Sequence, residues 1–402
     1  MNILFFQYGN YGEAYLRLLQ GGPETFRDQR ASVDYVARLA QEHRVTVVSI
    51  GEAHDLQLTD QLRSIGVPYA SLTPARICAL LDELAPDRIL CRTPHEGLLK
   101  EVARRQIAIL PVLADTFAAG GLRQRYRNWR LRHRLMRLRM PCVANHSLNA
   151  SRSMVEVLGL QEAKVVPWDR RPIPSVLQPK QAPSGVGPLR LFFAGVLSEA
   201  KGLGDVIEAL ALLRARGVDT ALTVAGAGAE APWHAVALRA GVFEQVHFVG
   251  VLPNDRIVPE MNAHDIVLVP SRHAYPEGLP NTLREGLASR SPVVASDHPA
   301  FADRLRSRQD AMIFRAGSQE ALAAAIDTLR RSPGLYAELS NNAPAASRVL
   351  RFGMAWEDLW TTFIKDPDDQ TGWVQRGSLA NMLADVHGHR EMPLPKAFPE
   401  AV

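Results

Sequence analysis

Short apolar, β-branched runs alternate with helix-length amphipathic runs along almost the whole chain, a pattern that admits little besides βαβ units wound around parallel sheets. The first half predicts strands at Asn2 to Gln7, Arg44 to Ile50, Arg88 to Cys91, Ile107 to Leu113, Cys142 to Ala144 and Lys164 to Val166. Helices are expected near Glu24 to Glu42, Leu56 to Ile65, Pro74 to Leu84, Glu96 to Arg105 and Ser147 to Leu158. The pattern breaks at RRPIPSVLQPKQAPSGVGP, where closely spaced prolines leave no apolar period, and restarts at Arg190. Strands follow at Arg190 to Ala194, Ala221 to Ala225, Val246 to Val249, Ile266 to Val269 and Val293 to Ala295, with helices at Gly204 to Arg216, near Pro232 to Ala240 and from about Asn281 to Ser289. The expected organisation is an α/β chain of two Rossmann-like, doubly wound parallel-sheet domains facing a central cleft. The first spans 1–170 and the second 189–350, joined by a linker at 171–188. A helix at 351–365 is expected to pack back toward the first domain, and 366–402 to form a polar, irregular tail.

Composition narrows the function. At 402 residues and 47% hydrophobic content the chain suits two cores. With 46 basic and 42 acidic residues the net charge is only +4, which excludes a chain-wide polyanion-binding surface. The cysteines, Cys78, Cys91 and Cys142, are odd in number and form no CxxC, so neither a disulfide framework nor a zinc site is indicated and a reducing compartment is expected. The N-terminus reads as a first strand, and no run approaches the ~18 to 20 apolar residues of a spanning helix. A cytoplasmic protein, or one peripheral on the inner face of a membrane, is expected.

The most informative segment is VLVPSRHAYPEGLPNTLREGLASRSPVVAS, residues 267–296. An apolar strand ends at Pro270, and Pro280 suits the first helical position. The N–H groups of Leu279, Asn281 and Thr282 then make an anion site. Glu277 stands just ahead of that site and Glu285 eight residues later, one carboxylate for the group attached to a phosphate and the other for a ribose diol. Only six residues of the chain are lysine, so Lys201, in Ala200-Lys201-Gly202 after a strand and turn, stands out as a phosphate ligand.

This Glu-x7-Glu segment, with Gly278-Leu279-Pro280 after its first glutamate, resembles the donor signature of the family-4 (group 1) retaining glycosyltransferases, which have the GT-B fold. LFFAGVLSEAKGLGDVIEALALL, LTVAGAG and VHFVGVLP are similar to that family's strands and turns. The resemblance implies that Glu277 contacts the transferred sugar, Glu285 the ribose and Lys201 the diphosphate. It also puts Gly226, Gly228 and Val251 near the base, and Gly21-Gly22, in Gly21-Gly22-Pro23-Glu24 opening a helix after the first strand, at a loop approaching the donor phosphate or the acceptor. A mobile glycine turn is the alternative reading of that loop. The family carries an arginine where this chain has Val196 after Gly195, and Arg272 is the cation that would compensate. At the family's histidine position the chain has Ala114, which leaves Asp115; His95, after the preceding strand, is a second candidate. For both, a helix-cap or hydrogen-bonding role is the alternative to chemistry.

Residues 121–140, GLRQRYRNWRLRHRLMRLRM, hold eight arginines and no acid. They read as a basic amphipathic helix, with Arg123, Arg127, Trp129, Arg130 and Arg134 toward an anionic membrane or a phosphate-bearing lipid acceptor. A solvated helix is the alternative, and no nucleic-acid module surrounds the segment. Asp366-Pro367-Asp368 is assigned to a loop, and no metal is expected. The resulting expectation is transfer of a sugar from a nucleoside-diphosphate-sugar, without a further cofactor, to a saccharide or lipid-linked saccharide. A nucleotide-sugar epimerase and a noncatalytic partner subunit are the rivals.

Overall fold

The structure, a computed structural model, describes residues 1–275, 279–351 and 353–388. The chain divides into two compact units. The first comprises residues 1–22, 30–170 and the described residues from 353 on; the second comprises 23–29 and the described part of 171–351.

The first unit opens with β1 (Asn2–Tyr8), α1 (Tyr11–Leu19), α2 (Gln29–Glu42), β2 (Arg44–Ile50), β3 (His54–Thr59) and β4 (Leu62–Val67). It continues through α3 (Pro74–Leu84), β5 (Arg88–Cys91), α4 (Glu96–Arg105), β6 (Ala108–Leu113), α5 (Leu122–Leu135), β7 (Val143–His146), α6 (Leu148–Glu156) and β8 (Val165–Asp169). The near-continuous apolar strands are covered on both faces, as parallel sheets require. Local chemistry sets several ends: the Thr73 side chain accepts from Arg76 N–H ahead of Pro74, and Asn10 accepts from Glu13 N–H to start α1.

Three expectations are corrected here. Residues 56–65 form a hairpin and not a helix: Arg63 pairs with Asp55 across β3 and β4 (2.6 Å), and β4 is buried in parallel register against β2. The helix placed from Glu24 begins at Gln29, because Asp28 adopts a left-handed φ of 66° that interrupts the helical path. Gly21-Gly22 follows α1, where Gly22 N–H donates to Arg17 O (2.9 Å) and closes that helix, so it does not open one.

The second unit comprises β9 (Leu189–Ala194), α7 (Leu203–Ala215), β10 (Thr220–Ala225), α8 (Ala231–Arg239), β11 (Val246–Phe248), α9 (Asn254–Ala263) and β12 (Ile266–Val269). Then come α10 (Asn281–Ala288), β13 (Val293–Ser296), β14 (Met312–Phe314), α11 (Gln319–Arg331) and α12 (Pro333–Leu350). All six strands are parallel, in the order β11-β10-β9-β12-β13-β14. The proline-rich segment has neither helix nor strand and is tied to this unit, with Val176 N–H on Ala288 O (2.8 Å) and Lys180 N–H on Ser340 Oγ (2.7 Å).

The chain then adds β15 (Met354–Ala355), α13 (Trp356–Lys365), α14 (Trp373–Gly377) and α15 (Leu379–Gly388) to the first unit. Its nine-stranded sheet runs β15-β8-β7-β6-β5-β1-β2-β4-β3. Residues 366–388 are therefore built into the fold where an irregular tail was expected. Trp373 and Leu379 are fully buried in the two cores of this unit, a tertiary gain that the polar composition hides. Residues 389–402 lie outside the described residues.

Candidate functional site

The strand order of the second unit reverses between β9 and β12, so the loops leaving these two strands form its ligand crevice. The loop after β9 is braced by Gly195 N–H on Ala225 O and Gly202 N–H on Glu199 O, both 2.9 Å. It delivers Lys201, only 7% exposed, immediately before α7. The lysine stem crosses Gly195, where a Cβ would stand 3.0 Å from its Cε, and Lys201 Nζ lies 4.7 Å from the Tyr275 ring centroid. Gly226, at φ 153°, packs so closely on the Gly195 carbonyl that a side chain there would collide with it. Its role is to bring the β9 and β10 turns together; Gly228 packs on Leu197, and Val251 is largely exposed.

α10 enters the same crevice. Thr282 Oγ1 donates to Ala194 O (3.0 Å), fixing the start of the helix against the end of β9. Pro280 is its N-cap residue, and no described side chain caps the helix, so the N–H groups of its first turn and its dipole are left to favour an anion. Leu279, Asn281 and Thr282 are in place around that terminus. Glu277 and Gly278 lie outside the described residues.

Two expected donor residues are already engaged. Arg272 donates through Nε and Nη2 to the two Asp205 oxygens (2.8 and 2.6 Å), and Nη2 also meets Glu199 Oε1 (2.6 Å). The Asp205 side chain is only 4% exposed, so Arg272 anchors α7 to the loop after β12, and that pairing draws on the charge expected to serve the phosphate. Glu285 is buried on α10, and Arg27 Nε and Nη2 reach its Oε1 at 2.8 and 2.7 Å. Arg27 lies in the segment 23–29, which is itself braced by Thr25 N–H on Gln29 Oε1 (2.8 Å).

Sequence reasoning missed Arg27, Asp205 and His298. Asp205 carried a signal, an acid in the first turn of a helix. Nothing in local spacing marked Arg27. His298 Nδ1 accepts from Ala300 N–H (3.1 Å), which leaves Nε2–H to donate to Tyr275 O (3.0 Å) and so fixes the loop that carries the Tyr275 ring.

In the first unit, His95 is the N-cap of α4: its Nδ1 accepts from Leu98 N–H (3.4 Å), and burial lowers its pKa, with Glu96 partly opposing. The Asp115 side chain is exposed, and its backbone carbonyl accepts from Asn145 Nδ2 (2.9 Å). The basic segment is helical as expected. Leu122, Tyr126, Trp129 and Met136 are exposed, Tyr126 stacks on Trp129 and Trp129 on His133. Arg123 and Arg127 are exposed, whereas Arg130 and Arg134 pair with Glu96. Asp366 accepts from the N–H groups of Gln370 and Thr371 (both 2.9 Å) as a turn residue, and Asp368 pairs with Arg139. Among the described residues no group of three His, Cys, Asp or Glu side chains is placed to hold a metal. No described helix is long and apolar enough to cross a membrane.

Residues 177–346 match the family described as glycosyl transferases group 1. The amylovoran biosynthesis glycosyltransferase AmsK of Erwinia amylovora is 34% identical over 151 residues, 37% of this chain and 37% of that protein. The 2-deoxystreptamine glucosyltransferase of Streptomyces kanamyceticus is 30% identical over 159 residues, 39% of this chain and 40% of that protein. These matches thus span less than half of either relative. Solved structures align over nearly the whole chain. Sucrose-phosphate synthase from Thermosynechococcus elongatus has a TM-score of 0.64 at 15% identity, covering 94% of this chain and 98% of that one. HepE of Anabaena in complex with UDP has a TM-score of 0.62 at 17% identity, covering 93% and 99%.

Proposed function

We propose that this protein, whose residues 177–346 match the group 1 glycosyl transferases and whose fold is GT-B, moves a sugar from a nucleoside-diphosphate donor to a saccharide acceptor with retention of anomeric configuration. The observation that supports this reading is the convergence of buried Lys201 and the uncapped start of α10 on the β9/β12 switch point. As the glycosidic bond breaks, charge develops on the departing diphosphate, and an ammonium and a helix N-terminus already aimed there stabilise it without a metal. Glu277 holds the transferred sugar and Glu285 the ribose. The acceptor belongs to the first unit, with His95 and Asp115 as the residues to examine there. The UDP bound in the HepE structure and the amylovoran assignment of AmsK make UDP-sugars and saccharides of polysaccharide synthesis the substrates to try first. The exposed aromatic and arginine face of α5 rests on anionic lipid.

Incubation with UDP-, GDP- and ADP-sugars and saccharide acceptors tests the reading, with product anomers assigned by NMR. Lys201→Ala and Glu277→Ala abolish transfer while the melting temperature holds; near-wild-type turnover in both contradicts the reading. A nucleotide-binding partner subunit without turnover is the second reading. The engagement of Arg272 with Asp205 favours it, because one cation fewer remains for the diphosphate. Nucleotide binding without transfer would decide for it.

A further inference from the structure

The sheet of the first unit reverses between β1 and β5, and the side chains at the ends of these strands form a cluster that the transfer chemistry above does not use. Arg92 directly follows β5. Its N–H donates to Phe6 O (2.8 Å), and its Nη1 donates to Gln7 Oε1 on β1 (3.0 Å). The guanidinium lies over the Trp360 indole, 5.6 Å from the ring centroid. That ring is fixed from other sides by Phe5 (5.4 Å between centroids) and Tyr35 (5.5 Å), so the guanidinium rests on a rigid floor.

This arginine has no carboxylate partner among the described residues. Burial is the main influence that pulls its pKa down to about 10, and the charge that adds to this effect is a second cation, Arg170, just beyond β8. The floor has an unmet donor as well: Trp360 is 3% exposed, and its indole N–H has no acceptor among the described residues. A half-buried guanidinium held over an aromatic floor without a carboxylate is destabilising for the fold unless an anion joins it. The remaining donors of the Arg92 fork are those that bind phosphate or carboxylate in two-point fashion.

We propose that Arg92, with Gln7, Trp360 and Arg170, forms an oxyanion site in the first unit, and that the acceptor carries the phosphate or carboxylate it holds. The anion site stands apart from the transfer reading; only its assignment to the acceptor rests on it.

Calorimetric titration with inorganic phosphate and with acetate tests the proposal, in the Lys201→Ala background so that the donor side contributes little. Arg92→Met weakens anion binding at least about tenfold, the loss of a charge-assisted bidentate contact, and Arg92→Lys falls between. Affinity for nucleoside diphosphate, measured with Lys201 intact, is unchanged by either substitution. Tighter phosphate than acetate binding assigns a phosphate-bearing acceptor, and the reverse a carboxylate. Equal anion affinity with and without Arg92, or no binding of either anion, overturns the site. Should Arg92→Met fail to fold, Arg92→Lys and Arg170→Met carry the same comparison. If Lys201→Ala leaves nucleoside diphosphate binding intact, the transfer reading fails while the Arg92 result stands.

Discussion

Arg27 and Glu285, 258 positions apart in the chain, are joined by a largely buried ion pair in which Arg27 Nε and Nη2 both reach Glu285 Oε1. If Glu285 takes the ribose diol, Arg27 competes with the diol for the same carboxylate, and a ligand shifts such an equilibrium only by its differential affinity. Replacing Arg27 with Met therefore raises nucleoside diphosphate affinity, by roughly three- to tenfold for a contact worth about 1 kcal/mol. Calorimetry of wild type, Arg27→Met and Glu285→Gln decides: Glu285→Gln weakens binding, and a loss of affinity in Arg27→Met would show that Arg27 itself holds the donor.

Arg272 and Lys201 should separate cleanly. Arg272→Ala leaves the buried Asp205 carboxylate without its bidentate partner, which costs about 1 to 3 kcal/mol and lowers the melting temperature. Lys201→Ala removes charge from the anion site and weakens donor binding with little change in melting temperature. Thermal unfolding and nucleotide titration of both variants check this; a reversed pattern contradicts the roles assigned.

His95 makes α4 sensitive to acid. Its pKa in the fold lies below the usual histidine value of about 6.5. Between those two values the unfolded chain binds more protons than the folded one, so stability falls as pH drops through about 6.5 toward the folded pKa. Protonation also removes the lone pair that accepts from Leu98 N–H. His95→Asn keeps a cap without titrating. Its melting temperature should vary less than that of wild type between pH 7 and 5, and an unchanged slope would falsify the assignment.

On α5 the arginines are not equivalent. Arg130 and Arg134 already face Glu96, while Arg123 and Arg127 are exposed beside the stacked Tyr126 and Trp129. Flotation with phosphatidylglycerol vesicles at low salt should therefore drop further for the Arg123→Glu, Arg127→Glu pair than for Arg130→Glu, Arg134→Glu, and should weaken as salt rises. No flotation of the wild type at low salt refutes the membrane reading.

The parallel α/β architecture was legible because long buried strands and capped helices leave local marks. Thr73-Pro74 opens α3, and the apolar run 266–269 ends at the loop that bears the site. Leu58, Leu62 and Ile65 satisfy a helical i, i+4, i+7 spacing although they sit in a hairpin, and only the register against β2 decides between them. The helix at Gln29 was misplaced because Pro23-Glu24 looks like a helix start, while the left-handed backbone at Asp28 leaves no trace in residue type. Lys201 was visible as a rare residue in the right loop. The engagement of Arg272 by Asp205 and of Glu285 by Arg27 was not, because both are tertiary pairings between residues far apart in the chain.

On the proposed function, Lys201 and the start of α10 together hold a nucleoside diphosphate. Titration of wild type and Lys201→Ala with UDP, GDP and ADP, and with the matching nucleosides, tests it most directly. Wild type should bind at least one diphosphate, and Lys201→Ala should weaken it about tenfold or more while leaving nucleoside affinity nearly unchanged, as expected for loss of a charge on phosphate. No diphosphate binding by wild type, or equal losses for nucleoside and diphosphate, would contradict it.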